Sequence, residues 1–345
     1  MAKGPGSKGT TIADVAAASG LSTSAVSLAL RGRGGVSEAT RARIKEIAAT
    51  LGYQQTAPRA KRSRAPRTIG LLIRTILDGT PRENVFYGPM MAGIEENCRV
   101  HHLNLMLRVM AHEHFHPVEL PPIVTDKSCD GLVVMGLHLS EDASEILRTG
   151  HPAVLVDAYS ASNAFDSVVI DNLRGAQTAV EHLISLGHRE IAMLAADPLA
   201  FAGIVDRRRG YEKAIAEAGL ASHYIDVPVR PVEDVAVAAM SYLRAHPEVT
   251  AVFCANDLVA TGLLQAASEN GISVPGQLSV VGFDDIDLAR HLSPPLTTMA
   301  VDTVGMGRMA VTLLANRLAF PNGSVTETLF RPTLVKRESS GPAPI

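Results

Sequence analysis

The sequence contains no tryptophan, and aromatic residues make up 4% of it. A platform of stacked rings for single-stranded nucleic acid is therefore excluded. Cysteine is scarce: Cys98, Cys129 and Cys254 are odd in number and far apart. They form neither a disulfide framework nor a cysteine-based zinc site, and reduced, buried thiols are the expectation. No stretch approaches the ~18 uninterrupted apolar residues of a membrane span. Met1–Gly9 carries lysines with no apolar run behind them, so no signal peptide, and a cytoplasmic location, are expected. A Gly-x-Ser-x-Gly elbow and a phosphate-binding Walker loop are both lacking. The glycines of "RGRGG" (31–35) follow a helical pattern, not a strand, so they are no dinucleotide fingerprint. His112, His114 and His116 would share one face if extended, but no cysteine joins them; a solvated loop is expected and no metal site. No nucleophile and base assemble, so neither an enzyme nor a cofactor is expected.

What is present is an ordinary globular composition, 46% hydrophobic and 19% charged, over 345 residues. That length implies more than one domain. Charge is unevenly spread. Residues 1–67 hold 12 Lys+Arg against 3 Asp+Glu, leaving 20 against 32 for residues 68–345. A basic head on an acidic body suggests that the head meets a polyanion.

The head reads as three short helices. Thr11 and Asp14 have capping-box spacing before the first, which runs to about Ser19 and stops at Gly20. Ser22 caps a second helix, Thr23 to about Leu30. Ser37 caps a third, with Ile44, Ile47, Ala48 and Leu51 on one face and Gly52 closing it. The first two have helix-turn-helix spacing, with Ala16 at the crossing and Val15, Leu21 and Val26 as the apolar seal. A two-turn second helix with small hydroxyl residues at its start suits insertion in a DNA major groove. A plain helical hairpin is the bland alternative, weakened by the basic excess and the third helix.

The segment Thr11 to Tyr53, "TIADVAAASGLSTSAVSLALRGRGGVSEATRARIKEIAATLGY", resembles the DNA-binding head of the lactose-repressor/galactose-repressor (LacI/GalR) family. The resemblance implies that Thr23, Ser24 and Leu28 occupy base-reading positions. It implies that Thr11, Ser22, Ser27 and Arg31 touch phosphate or flank the bases. Leu28 stands where the family often has arginine; an exposed leucine there can contact a thymine methyl, whereas the alternative is packing on the third helix.

Residues 54–67, "QQTAPRAKRSRAPR", read as a basic, proline-containing linker. In the family this stretch forms a hinge helix whose leucine wedges into the minor groove. Here Gln55, Thr56, Pro58 and Arg62 depart from that pattern and the wedge leucine is missing. Proximity to DNA is carried over and the wedge is not; Arg62 can lie in the minor groove instead.

From Thr68 onward, short apolar runs alternate with helical patterns, which implies parallel sheets with helices on both faces and, from their number, two α/β lobes. The segments "DGLVVMG", "VVIDNLRGAQTAVEHLISLGHREIAML", "VFCANDLVATGLL", "VPGQLSVVGFDD" and "RPTLVKRES" extend the family resemblance. It implies a periplasmic-binding-protein-like effector domain over 68–338, with lobe 1 about 68–169 and 297–324, lobe 2 about 170–296 and 325–338, and a tail of 339–345. Crossings between lobes are expected near Ile170, Leu296 and Ser324. Carboxyl ends of strands would face the interlobe cleft. By the resemblance, Arg207, Asn256 and Asp284 line it from the second lobe, and Asp157, Phe86 and Tyr87 from the first. Forked donors, carboxylate acceptors and an aromatic face suit a polyhydroxylated ligand. Arg207 sits among three arginines, Asp284, Asp285 and Asn256 could merely cap helices, and Phe86 and Tyr87 could be core.

The expectation is therefore an allosteric, sequence-specific DNA-binding regulator. It would be a homodimer on a near-palindromic operator, a repressor answering to a small molecule with the chemistry of a sugar or sugar derivative. A purine-responsive co-repressor type is the alternative within the class; a sugar carrier lacks support because a basic helix-turn-helix leads the chain. The C-terminus shows no heptads for a coiled-coil tetramer.

Overall fold

A computed structural model describes residues 10–30, 36–53, 67–75, 84–111, 122–126, 128–136, 138–139, 150–160, 164–195, 197, 201–227 and 232–344. Two units are present, Met1–Ala65 and Pro66–Ile345. The linker residues Gln55, Thr56, Pro58 and Arg62, together with Arg31, the 31–35 glycines and His112, His114 and His116, lie outside the described residues.

In the first unit, α1 (Ile12–Ser19), α2 (Thr23–Leu30) and α3 (Glu38–Thr50) surround a small core. The Asp14 carboxylate reaches back to accept from the Thr11 amide and hydroxyl, both at 2.7 Å. These bonds hold the Asp14 carboxyl below its usual range. Gly20 takes the left-handed conformation that ends α1, and the Ser22 hydroxyl accepts from the Ala25 amide at 3.2 Å to start α2. The chain turns through 105° between α1 and α2, within the range of a helix-turn-helix. Ser37 caps α3 by accepting from the Thr40 amide, and Gly52 follows with positive φ. Val15, Ala16, Val26, Ala29, Ile44 and Ala48 form the core. Two expectations need correction. Leu21 is 37% exposed and Leu51 is likewise exposed, so neither seals the unit. Ala29 is buried in the core and Tyr53 packs against it from the edge.

The second unit contains two parallel sheets. The larger has six strands in the order β13-β7-β5-β3-β1-β2: β1 (Thr68–Thr75), β2 (Asn104–Ala111), β3 (Gly131–Met135), β5 (Ala153–Val156), β7 (Asp166–Ile170) and β13 (Glu327–Phe330). The smaller has the order β11-β10-β8-β9: β8 (Ile191–Leu194), β9 (His223–Ile225), β10 (Ala251–Cys254) and β11 (Ser279–Val281). Two short pairs complete the set: β4 (His138–Leu139) with β6 (Tyr159–Ser160), and β12 (Thr298–Ala300) antiparallel to β14 (Thr333–Val335).

The helices of this unit are α4 (Tyr87–Val100), the single turn α5 (Pro122–Thr125), α6 (Asn172–Ser185), α7 (Ala202–Glu217), α8 (Val232–Ala245), α9 (Asp257–Glu269) and α10 (Thr303–Ala319). Strand alternation sorts the larger sheet's side chains to two faces. Val133, Met135, Val154 and Val156 join Met90 and Ile94 of α4 and Leu314 of α10 in one core. Leu132, Val134, Ala153 and Leu155 join Ile123 and Val124 of α5 in another. Helices α4 and α10 touch backbone to backbone: a Cβ on Gly93 would collide with the Val304 carbonyl, and one on Gly307 with that of Met90.

The chain passes between the sheets three times. The first passage follows β7 at Ile170–Asp171, close to its expected position. The second lies later than Leu296. Residues 297–300 still run beside the smaller sheet, where Val281 bridges Thr297 and Asp284 bridges Ala300; α10 then packs on the larger sheet. The third lies after Phe330 and not near Ser324, since β13 pairs with β7. The Thr297 carbonyl accepts from the Gly282 amide and the Leu296 amide donates to the Ala289 carbonyl, which keeps the "SPPLTT" segment with the smaller sheet. Ser339 is no loose tail residue: it is buried, its hydroxyl donates to the Val280 carbonyl and accepts from the Thr297 amide. Helix α7 begins at Ala202 and carries Arg207 at a buried position. No single described helix is long and apolar enough to cross a membrane.

Candidate functional site

Both sheets are parallel, so the carboxyl ends of their strands collect the residues that follow them. From the larger sheet come Gly136 after β3, Asp157 after β5 and Asn172 after β7. From the smaller come Asn256 after β10 and Asp284 after β11. Arg207, on α7 and buried, ties these together. Its Nε donates to Asn172 Oδ1 at 2.8 Å, its Nη1 to the Ala255 carbonyl at 2.6 Å and its Nη2 to Asp284 Oδ1 at 3.0 Å. The guanidinium lies over the Phe283 ring, 3.7 Å from the centroid. Of the three neighbouring arginines, Arg208 pairs with Glu212 and Asp226, and Arg209 with Asp206, on the surface. Only Arg207 of the three turns toward Asp284.

Asp284 adopts a φ of 116° and Asp285 one of 55°, a region costly for side chains other than glycine. Neither caps a helix, which removes the bland alternative for both: Asp284 takes Arg207, and Asp285 accepts from Arg337 Nη2 at 2.7 Å. Burial raises the Asp284 carboxyl to about 6, against the lowering pull of Arg207. Asn256 does cap: its Oδ1 accepts from the Val259 amide at 2.9 Å and starts α9. Its amide group remains beside the site while its oxygen is committed to the helix.

Opposite lies a second cluster. Asn84 Oδ1 accepts from the Phe86 and Tyr87 amides, both at 3.0 Å, and so begins α4 with Tyr87 aimed at β5. Tyr87 Oη donates to Asp157 Oδ2 at 2.8 Å. Asp157 is buried with a positive φ of 44°, and burial lifts its carboxyl to about 7, with Tyr87 and Arg207 pulling it back. Gly136 is required beneath the phenol: it has a φ of 66°, and a Cβ there would fall 2.7 Å from the Tyr87 hydroxyl. Phe86 packs edge-on against Tyr87, with centroids 5.1 Å apart. The two clusters act on each other, because Asp284 and Arg207 both shift the Asp157 carboxyl.

Four residues escaped the sequence reading. Asn172 lies in "VVIDNLRG", and its amide reaches the Tyr159 hydroxyl at 3.4 Å while its oxygen holds Arg207. Tyr159 and Phe201 meet edge to face, 5.2 Å between centroids. Asp257 is fully buried, accepts from the Ile286 amide and the Thr298 hydroxyl, and is raised by burial to about 8. A polar residue directly after a buried strand was the available signal for Asn172 and, as part of Asn256-Asp257, for Asp257. Tyr159 and Phe201 gave none.

In the head, Thr11, Ser22, Thr23, Ser24 and Leu28 are exposed and Ser27 is half-buried; Arg31 is not described. Leu28 is 39% exposed and stands apart from the core residues Val26 and Ala29. It does not pack away against α3.

A steeply crossed pair of helices with an exposed, hydroxyl-rich second helix, joined to a two-lobed α/β body with a polar cleft, defines the ligand-responsive DNA-binding regulators. Residues 11–55 match the family model described as bacterial regulatory proteins, lacI family, and residues 180–340 the periplasmic binding protein-like domain. The chain is 32% identical to the ribose operon repressor of Haemophilus influenzae (strain ATCC 51907 / DSM 11121 / KW20 / Rd), over 95% of this chain and 98% of that protein. It is 32% identical to the HTH-type transcriptional repressor PurR of Vibrio campbellii (strain ATCC BAA-1116), over 89% and 92%. A solved structure of a transcriptional regulator CelR–cellobiose complex superposes with a TM-score of 0.70 at 28% identity, covering 96% of this chain and 99% of that one. The protein belongs to the LacI family of bacterial transcriptional regulators. It is a DNA-binding regulator and not an enzyme.

Proposed function

We propose that this chain is a homodimeric repressor whose operator affinity is set by a sugar or sugar derivative bound between the Asp157 and Asp284 clusters. The observation that carries this reading is Arg207, buried and held between Asn172, Ala255 and Asp284 at the strand ends. Three of its five N–H groups are used in those bonds, which leaves two for a ligand oxygen. Two raised carboxylates on opposite walls accept from hydroxyls that point in different directions, the pattern a ring of hydroxyl groups presents. Tyr87, Phe86, Tyr159 and Phe201 supply faces for the ring's apolar side. The names of the relatives fit: one represses a ribose operon and one was solved with cellobiose. A purine effector is the second reading, favoured by the PurR relative of equal identity and by the paired aromatic rings.

In the head, Thr23, Ser24 and Leu28 read base edges, and Thr11, Ser22, Ser27 and Arg31 hold phosphates or flank the bases. Two heads in a dimer take two half-sites of a near-palindromic operator. The effector favours one arrangement of the lobes, and coupling of about 1–3 kcal/mol changes DNA affinity about 5–150-fold.

Operator selection with the full chain, then titration of the selected complex with sugars, sugar phosphates and purines, tests both halves. Release or tightening by a sugar is expected, and Arg207→Ala and Asp284→Ala should each abolish the response. A normal response in both variants overturns the cleft assignment, and a response to purines alone selects the second reading.

A further inference from the structure

The amino ends of the strands in the smaller sheet lie on the edge opposite the cleft, and there histidines gather. His223 begins β9 and pairs in register with Ala192, two residues beyond Glu190. His246 and Glu248 lie in the turn between α8 and β10, closed by the Val249 amide donating to the His246 carbonyl. Ligand atoms of His223, His246 and Glu248 lie within 4.8 Å of one another, the one such group of three among the described residues. These residues come from β9 and a turn after α8 and share no metal-motif spacing along the chain.

We propose that His223, His246 and Glu248 form a binding site for a divalent transition metal, zinc foremost, on the second lobe and remote from the effector cleft. Two imidazoles and one carboxylate are a donor set that zinc accepts, with a fourth position for water. The surroundings are those of a built site. Glu190 Oε2 accepts from His223 Nε2 at 2.7 Å, which fixes the tautomer and leaves Nδ1 with its lone pair. That nitrogen now meets the Tyr242 hydroxyl at 3.0 Å, the bond that metal would replace. His246 stacks on the Tyr242 ring, 4.2 Å between centroids. Glu248 Oε1 already lies 3.0 Å from His246 Nδ1.

The last carbonyls of α8 place partial negative charge beside this corner, which favours a cation. Tetrahedral zinc needs its ligand atoms about 3.3 Å apart. The 4.8 Å span closes by side-chain rotation, for which His246 and Glu248, at 39% and 47% side-chain exposure, have room. His223, at 13%, is the fixed member.

The test is calorimetric titration of the chelator-treated full chain with zinc, repeated with cobalt, whose visible absorption reports coordination. One equivalent should bind in this site, with a cobalt spectrum of tetrahedral intensity. His246→Ala and Glu248→Gln, at a half-buried and an exposed position, should each weaken zinc at least tenfold without changing the circular dichroism. Glu190→Gln should weaken it about 10–100-fold through the orientation of His223. Zinc should raise the thermal midpoint of the wild type and not of His246→Ala. A triple His112→Ala, His114→Ala, His116→Ala variant should bind as the wild type does. Zinc affinity unchanged by His246→Ala, or lost with that triple variant instead, overturns the site, as does the absence of zinc binding to the wild type.

Discussion

Replacing Arg207 by methionine keeps an unbranched stem and removes the guanidinium. Asn172 Oδ1, the Ala255 carbonyl and Asp284 Oδ1 then lose their donors together. The side chains of Arg207 and Asp284 are 7% and 11% exposed, so the loss belongs with broken buried pairs, about 3–5 kcal/mol, and not with surface pairs near zero. Its pH dependence has a definite sign. The Asp284 carboxyl titrates at about 6 in the folded chain because burial outweighs Arg207, against about 3.9 when unfolded. The folded state therefore holds the additional proton between these values. Stability from this group is fully present below about pH 4 and falls by about 3 kcal/mol as pH rises to about 6. Without Arg207 the carboxyl climbs further and the fall continues to higher pH. Arg207→Met should therefore cost more at about pH 7.5 than at about pH 5, where Asp284 is largely protonated in both chains. Adding Asp284→Asn removes the stranded charge, and the double variant should recover about 0.5–3 kcal/mol relative to additivity. Urea unfolding followed by far-ultraviolet circular dichroism measures all four proteins, since there is no tryptophan to report. Equal losses at both pH values, with no recovery in the double variant, would refute the reasoning.

Three further outcomes follow from particular residues. Gly136→Ala should cost about 1–3 kcal/mol, because it combines positive φ with a Cβ against the Tyr87 hydroxyl; a thermal midpoint and effector affinity both equal to the wild type would contradict this. Asp257→Asn should be nearly neutral at about pH 4, where that carboxyl, held by burial at about 8 in the folded chain, is still largely protonated in the unfolded chain too. The wild type loses stability from about pH 4 to about pH 8 and the amide does not, so the variant should gain steadily on the wild type over that window, and melts at about pH 4 and about pH 8 that show no change in their difference would contradict this. Leu28→Ala should relax preference at one thymine by about 1–3 kcal/mol in operator selection, with other positions unchanged; an unaltered base preference throughout would remove Leu28 from the reading set.

Much of this protein was legible from local pattern. Capping residues and left-handed glycines depend on neighbours within four positions, so Thr11, Ser22, Ser37 and Gly20 marked the head's helices correctly. Buried parallel strands announce themselves as continuous apolar runs such as Gly131–Met135 and Ala251–Cys254. The exceptions share a cause. Leu21 and Leu51 were assigned to the core by hydrophobicity, yet how steeply short helices cross decides which apolar residue is covered. The strand β13, with its alternating exposure, has no apolar run, and only its partner β7 makes it a strand. Helix α10 carries Gly305 and Gly307 in its first turns, a weak helical signal until the close approach to α4 is seen to require a glycine.

The sequence by itself determined the head's helices and the buried apolar strands, that a basic head precedes an acidic body, and the family whose motifs it carries. Those properties are set by side-chain chemistry along the chain. Only the tertiary structure decided which of three successive arginines is buried against Asp284, that Asn256 spends its oxygen on a helix cap, and that Asn172 and Tyr159 join the cleft. It alone brought His223, His246 and Glu248 to one corner. Such meetings are fixed by the order in which parallel strands line up in a sheet, and that order unites residues far apart in the chain through contacts that no local spacing records.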